Sequence, residues 1–294
     1  MQTLEALKRK MAIAEELHSI VRTMKVLAAV SIRQYEQAVK SLADYSETIE
    51  LGLQIVLQHG LEPRPAIKPA AGRRVGLVIF GSDQGMCGRF NEQIAAYTLQ
   101  HLTEAGSPDA LILGVGQRVI GYLEQAGRPI VDYFAVPGTL VGITPLVQTM
   151  LIKIEGWREQ QGVEQIALFY NKPVSNAAYE PHREQFWPVD PAWLEALKAK
   201  SWSSRVRPTY RMTEEALFAA LIRQQLFVSL YRACLESLAG ENAARLMSMQ
   251  AAERNLDERL QQLKVRYNHQ RQSAITEELL DIVAGFEALT VKQA

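Results

Sequence analysis

The sequence predicts a mixed α+β and α/β fold: two long helices, one at each end, that pair as an antiparallel coiled coil, and a small α/β, Rossmann-like domain between them. Three observations predict it. All twelve prolines lie between Pro63 and Pro208, so neither end holds a residue that both removes a backbone donor and clashes with the preceding turn. Only Gly52, Gly60, Gly240 and Gly285 fall outside the stretch from Gly72 to Gly162. Between about Arg73 and Ala199, short apolar runs alternate with helical stretches. The expected domains are residues 1–60 and 210–290 for the two coiled-coil helices and 73–200 for the α/β domain.

In the first arm Leu4, Leu7, Met11 and Ala14 alternate at three and four residues. After a drift, Ile32, Tyr35, Val39, Leu42, Ile49, Leu53 and Val56 resume the seam. This is coiled-coil spacing.

The middle places apolar runs at 75–80 (VGLVIF), 110–116 (ALILGVG), 129–136 (PIVDYFAV) and 166–171 (IALFYN), with helices at about 90–104, 117–126 and 143–161. Such alternation predicts a largely parallel sheet. HREQFWPVD at 182–190 adds a candidate edge strand, the place where Pro188 is tolerated.

The last arm, Thr213 to Leu289, reads as one helix of about 77 residues, or ~115 Å at 1.5 Å per residue. Ala239, Leu246, Leu260, Tyr267 and Ala274 form one seven-residue series. Val228, Leu235, Met249, Leu256, Leu263 and Gln270 form the other, and Arg232, Asn242 and Glu253 interrupt the pattern. The first helix is about 20 residues shorter, so roughly 30 Å of the last helix is expected to extend beyond the pair and to need a partner around it.

Composition narrows the function. With 48% hydrophobic and 22% charged residues the 294-residue chain has the makings of a sizeable core. Thirty-two basic and thirty-two acidic residues cancel, which removes a global electrostatic case for nucleic acid or an anionic membrane as partner. Cys87 and Cys234 are too few for a disulfide framework or a structural zinc site and suit a reducing compartment, and five scattered histidines do not build a metal site. MQTLEALKRKMAIAEELHS carries acids and no continuous apolar run, and no stretch reaches about 18 consecutive apolar residues. The reading is a cytoplasmic chain that does not itself insert into a membrane.

Three places suggest an enzyme. GSDQGMCGRFN at 81–91 sits between a strand and a helix, where a phosphate loop belongs, but has no Lys followed by Ser or Thr. Gly114, Gly116 and Gly121 have the wrong spacing for a dinucleotide fingerprint. Cys87 at a helix start has no histidine nearby, the nearest being His59 and His101, and reads as a packed turn cysteine. Asp257, Glu258 and Arg259, like Glu277 and Glu278, read as solvated helix faces, and Met11, Met24, Met247 and Met249 as seam residues. No set of acid, base and nucleophile emerges, and no cofactor is expected.

The last arm carries a resemblance. LYRACLESLAGENAARLMSMQAAERNLDERLQQLKVRYNHQRQSAITEELLDIVAGFEAL, residues 230–289, resembles the C-terminal helix of the gamma subunit of F-type ATP synthases. TMKVLAA at 23–29 is similar to that family's N-terminal helix motif, and SDQGMCGRFN at 82–91 to a turn in its α/β domain. The resemblance implies a central rotor shaft: a coiled coil inside a ring of nucleotide-binding alpha and beta subunits, its α/β domain near the membrane c-ring and the epsilon subunit, on the cytoplasmic face of the cell membrane. It implies that Met24, with Lys25 beside it, faces the moving lever of a beta subunit. It also implies that Arg245, Arg271, Gln272 and Thr276 make polar contacts to beta-subunit loops.

The chain departs from the pattern in places. IAEELHSIVRTM at 13–24 lacks the polar, lysine-rich approach usual before the motif. Gln84 stands where an Arg is common, Arg89 replaces a usual Gly, and Phe286 stands among small residues. These changes point to a divergent branch, an alternative F-type enzyme alongside a housekeeping one. The competing readings are a coiled-coil adaptor that displays an α/β domain and a nucleotide-binding enzyme with helical extensions.

Overall fold

The computed structural model describes residues 3–291 except 61–73, 107–108, 175–177 and 203–205, with side chains described as far as Ala284. The order is α1 (Leu4–Gln58), β1 (Arg74–Phe80), α2 (Phe90–Glu104), β2 (Leu111–Val115), α3 (Gln117–Gln125), β3 (Asp132–Phe134), α4 (Leu140–Gln161), β4 (Val163–Pro173), β5 (Tyr179–Trp187), α5 (Pro191–Ala199) and α6 (Glu214–Val291). The chain divides into two compact units, residues 28–246 and residues 1–27 with 247–294. Both long helices contribute to each.

In the larger unit the sheet runs β3-β2-β1-β4-β5. β1 pairs parallel with β2 and β4, β2 pairs parallel with β3, and only β5 runs antiparallel, against β4. β1 is the central strand, and Gly76–Phe80 is buried without alternation. That is the pattern of a strand covered on both faces. On one face Leu77, Ile79, Ile112, Ala167 and Phe169 pack with Ile94 and Leu102 of α2 and Val119 and Leu123 of α3. On the other, Val78, Phe80, Leu113, Leu168 and Tyr170 pack with Ile143, Met150 and Trp157 of α4, Tyr35 of α1 and Leu230, Cys234, Leu235 and Leu238 of α6. The coiled coil of this unit is therefore built into the core of the α/β layer.

Two local readings change. β5 ends at Trp187, before Pro188, and the proline it holds is Pro181. It is the outermost strand, where a missing N–H interrupts no inner ladder. α5 was not read from the sequence. Its start is nonetheless marked there: Asp190 Oδ1 accepts the Ala192 amide at 2.9 Å and Pro191 occupies the first turn. Leu194 and Leu197 of α5 pack on Ile49, Leu53 and Leu57 of α1.

In the smaller unit the two helix segments run antiparallel: Lys25 meets Glu253, and His18 meets Asp257. Asp257 is thus not simply a solvated face residue. The drift in the first-arm seam also resolves here. The inward residues of α1 continue without a break as Ala14, His18, Val21, Lys25 and Ala28. The apolar Ile13, Leu17 and Ile20 face outward at 49%, 47% and 55% exposure. From Lys264 to Ala284 every side chain is exposed except Tyr267, Gln270 and Ala274, the seam positions, which are half-buried. Phe286 lies outside the residues whose side chains are described.

Candidate functional site

Strand order reverses direction between β1 and β4, and the crevice beyond the carboxyl ends of these strands is where an open α/β sheet ordinarily binds a nucleotide. Here the chain's own residues occupy it. Gly81 N–H donates to Val115 O at 2.7 Å and Gly116 N–H to Phe134 O at 2.9 Å. Gly116 has φ 101°, and a Cβ on it would lie 2.7 Å from Ser82 N, so only glycine permits this approach. Two amides at the N-terminus of α3 are then engaged: Gln117 N–H donates to Asp83 Oδ1 at 2.8 Å and Arg118 N–H to Ser82 O at 2.9 Å. The Asp83 carboxylate also accepts from Tyr133 Oη at 3.1 Å and Val136 N at 2.7 Å. An anion at this helix end would displace a carboxylate of the protein itself.

The rest of the turn is equally self-contained. Asn91 Oδ1 accepts the Ser82 amide at 2.9 Å, and Asn91 Nδ2 donates to Ser82 Oγ at 2.8 Å. Cys87 is buried with Phe90 and Ala244, and that burial pushes its thiol up, away from the thiolate a nucleophile needs. Asn171 Nδ2 of β4 donates to Phe90 O at 2.9 Å. α6 closes the crevice from above: a Cβ on Gly240 would lie 2.8 Å from Asn171 O. Every residue of α6 from Ala233 to Arg245 is buried, enclosed by sheet and helices alike. Among the described residues, no group of three His, Cys, Asp or Glu side chains is placed to hold a metal ion.

The residues singled out by resemblance fall in both units. Lys25 Nζ donates to Glu253 Oε2, and this bond holds the Glu253 carboxyl below the usual range. Met24, beside it, is half-buried. Arg271, Gln272 and Thr276 are exposed along one stretch of α6, with Thr276 Oγ1 bonded back to Gln272 O at 2.9 Å. Arg245 belongs to the larger unit and is only 7% exposed. Its Nη2 donates to Glu241 Oε1 and its Nη1 to Asn242 Oδ1. Burial raises the Glu241 carboxyl, and Arg245 opposes that rise. Sequence reasoning missed Glu253, Asp257 and Glu241 as partners. Charges spaced to face a coil seam were the available signal.

Comparison with known families matches residues 3–289 to the family described as ATP synthase. The chain belongs to the ATP synthase gamma family. It is 29% identical over 293 residues to the ATP synthase gamma chain of Syntrophus aciditrophicus, covering 98% of this chain and 99% of that one. It is 26% identical over 294 residues to that of Buchnera aphidicola, covering 99% of both. Among solved structures, the rotor of the Euglena gracilis mitochondrial ATP synthase in rotational state 1 is similar at TM-score 0.64 and 15% identity, over 92% of this chain and 98% of that one. A central stalk and c-ring structure from Tetrahymena thermophila is similar at TM-score 0.54 and 20% identity, over 79% and 99%. At these identities the structures show the shared fold. No helix among the described residues of this gamma-family chain is long and apolar enough to cross a membrane.

Proposed function

We infer that this chain is the central rotor shaft of an F-type ATP synthase or ATPase, coupling ion flow through a membrane c-ring to conformational cycling of catalytic beta subunits. The observation that carries this reading is a family match running from residue 3 to residue 289, on a chain whose own nucleotide crevice is filled by Asp83 and closed by α6. The partners are the alpha and beta subunits around the coil, the epsilon subunit and the c-ring, at the cytoplasmic face of the cell membrane. Met24 and Lys25, Arg245, and Arg271, Gln272 and Thr276 are the proposed contacts to beta subunits. The exposed stretch of α6 beyond Lys264 supports the last three as groups free to meet a partner. Arginine and amide groups suit such an interface because each neutral hydrogen bond is worth only about 0.5–1.5 kcal/mol net and is readily exchanged.

Affinity purification of a tagged chain tests this. Co-purification of several alternating alpha and beta subunits per copy, with ATPase activity in the assembly and none in the isolated chain, is the expected result. An isolated chain that binds ATP at micromolar concentration in calorimetry, or one that brings down no nucleotide-binding subunits, overturns it.

A further inference from the structure

From Ala196 to Thr213 the chain carries Lys198, Lys200, Arg205, Arg207 and Arg211 and no Asp or Glu, a local excess inside a chain of zero formal charge. Part of this stretch lines a concavity of about 840 Å³ in the larger unit, within the ~300–1,000 Å³ of ordinary small-molecule sites. Lys198, Lys200 and Arg207 line it together with Trp202 and, from the end of α1, Gln58. No lining residue is an Asp or Glu, and among the described residues none of the three cations has a carboxylate partner. Lysines at a helix C-terminus ordinarily offset its last carbonyls. Here those carbonyls are already satisfied. Gln58 Nε2 donates to Lys198 O at 3.1 Å and to Lys200 O at 2.9 Å, and Gln54 Nε2, on a residue 1% exposed, also donates to Lys200 O. The turn after α5 is thereby tied to α1, and Trp202 Nε1 donates across it to Val206 O at 3.0 Å. Lys200 and Arg207 are exposed, Lys198 and Trp202 half-buried.

We propose that this concavity binds a phosphate-bearing anion, a lipid headgroup or free phosphate, through Lys198, Lys200 and Arg207, with Trp202 as its apolar wall. Three unpaired cations around one space suit the charge density and several acceptor oxygens of a phosphate better than a lone side-chain carboxylate. Arg207 adds a forked donor that matches phosphate oxygens in pairs. Val206, beside it in the chain, is 75% exposed. An indole and an exposed apolar side chain interleaved with Lys and Arg is the composition found at headgroup depth. Binding of this kind is adsorption at a surface and needs no inserted helix. The site consists of this chain's own residues and stands whether or not the chain turns inside a ring.

Co-sedimentation of the full chain with phosphatidylglycerol vesicles, against phosphatidylcholine vesicles, and calorimetry with inorganic phosphate test the two sources. Binding in at least one arm is expected, weakening as salt is raised. Retention by phosphatidylglycerol but not phosphatidylcholine assigns a headgroup, and binding of inorganic phosphate alone assigns the free ion. Lys198→Gln, Lys200→Gln and Arg207→Gln together should lower the affinity about a hundredfold, each cation at an anionic surface being worth about fivefold. If the triple variant does not fold, the exposed pair Lys200→Gln and Arg207→Gln serves, with a loss of about twenty-five-fold. Lys8→Gln, Arg9→Gln and Lys10→Gln remove the same charge from the exposed start of α1 and should leave binding nearly unchanged. No binding in either arm, an equal loss in both triple variants, or binding of polyglutamate in place of phosphate overturns the proposal.

Discussion

Asp83 caps helix α3 at Gln117: its Oδ1 accepts the Gln117 amide at 2.8 Å, while its Oδ2 accepts that of Val136 at 2.7 Å. One side chain thus ties the end of β1 to the start of α3 and the end of β3. Asp83→Ala should strand these donors and lower stability by about 2–4 kcal/mol, since hydrogen bonds to a charged group are worth about 1.5–3 kcal/mol each. Asp83→Asn keeps one acceptor and should lose about half as much. Urea denaturation of the full chain measures both, and an Asp83→Ala variant as stable as wild type would refute the capping role.

Gly240→Ala reverses an ordinary rule. In an exposed helix the change favours folding by about 1 kcal/mol. On α6 the new methyl carbon would sit 2.8 Å from Asn171 O, a backbone atom held by its strand, and overpacking of this kind costs about 1–3 kcal/mol or more. Net destabilisation is expected. A rise in melting temperature would show that α6 does not press on β4 here.

Arg245 separates a structural role from a partner-facing one. Arg245→Ala leaves Glu241 buried without its cation and should cost about 3–5 kcal/mol. The Glu241 carboxyl, already raised by burial, loses the attraction that opposes that rise. The penalty should therefore grow as pH climbs above the ordinary carboxylate range and shrink toward acid pH. The double variant Arg245→Met, Glu241→Gln should recover most of the loss. Stability curves at acid and neutral pH decide it: a pH-independent penalty that the double variant does not repair would exclude the buried pair as its cause.

At the exposed stretch of α6 the expectation is the opposite. Arg271→Ala, Gln272→Ala and Thr276→Ala should leave the subunit as stable as wild type. They should change ATP hydrolysis and coupling of the assembled complex by only a few fold, each neutral bond being worth about 0.5–1.5 kcal/mol and the exposed Arg271 charge being screened by solvent. Loss of all hydrolysis in a fully assembled complex would contradict weak, exchangeable contacts.

Amide exchange in the isolated chain should be fast in α6 beyond Gln270, where side chains are exposed or half-buried, and slow in β1, whose residues from Gly76 to Phe80 are buried. Mass-resolved exchange gives the order directly. The reverse order would mean that the far end of α6 is protected by contacts of its own.

Much of the architecture was legible in the sequence. Proline and glycine placement marked both long helices, because those residues act on the backbone locally and independently of what packs around them. Uninterrupted apolar runs located β1, β2 and β4 for a similar reason: a strand covered on both faces is apolar at every position. α5 escaped because it spans only nine residues, too short for periodicity to register, although Asp190 and Pro191 signalled its start. The α1 seam was lost where His18 and Lys25 occupy inward positions, since a pattern built on hydrophobicity follows Ile13, Leu17 and Ile20 to the wrong side of the helix.

What the sequence by itself determined was the set of elements, their order and, through the motifs at 23–29, 82–91 and 230–289, the family. Those depend on short-range periodicity and on residue types that keep their meaning in isolation. The tertiary structure decided which polar groups meet: Asp83 with Gln117, Lys25 with Glu253, Arg245 with Glu241, and Tyr170 with Glu184. Most of these partners lie far apart along the chain, and Arg245 and Glu241, one turn apart, acquire their strength only from burial. The value of a hydrogen bond or ion pair is set by the water excluded around it, and only the folded packing of sheet against helix determines where water is excluded.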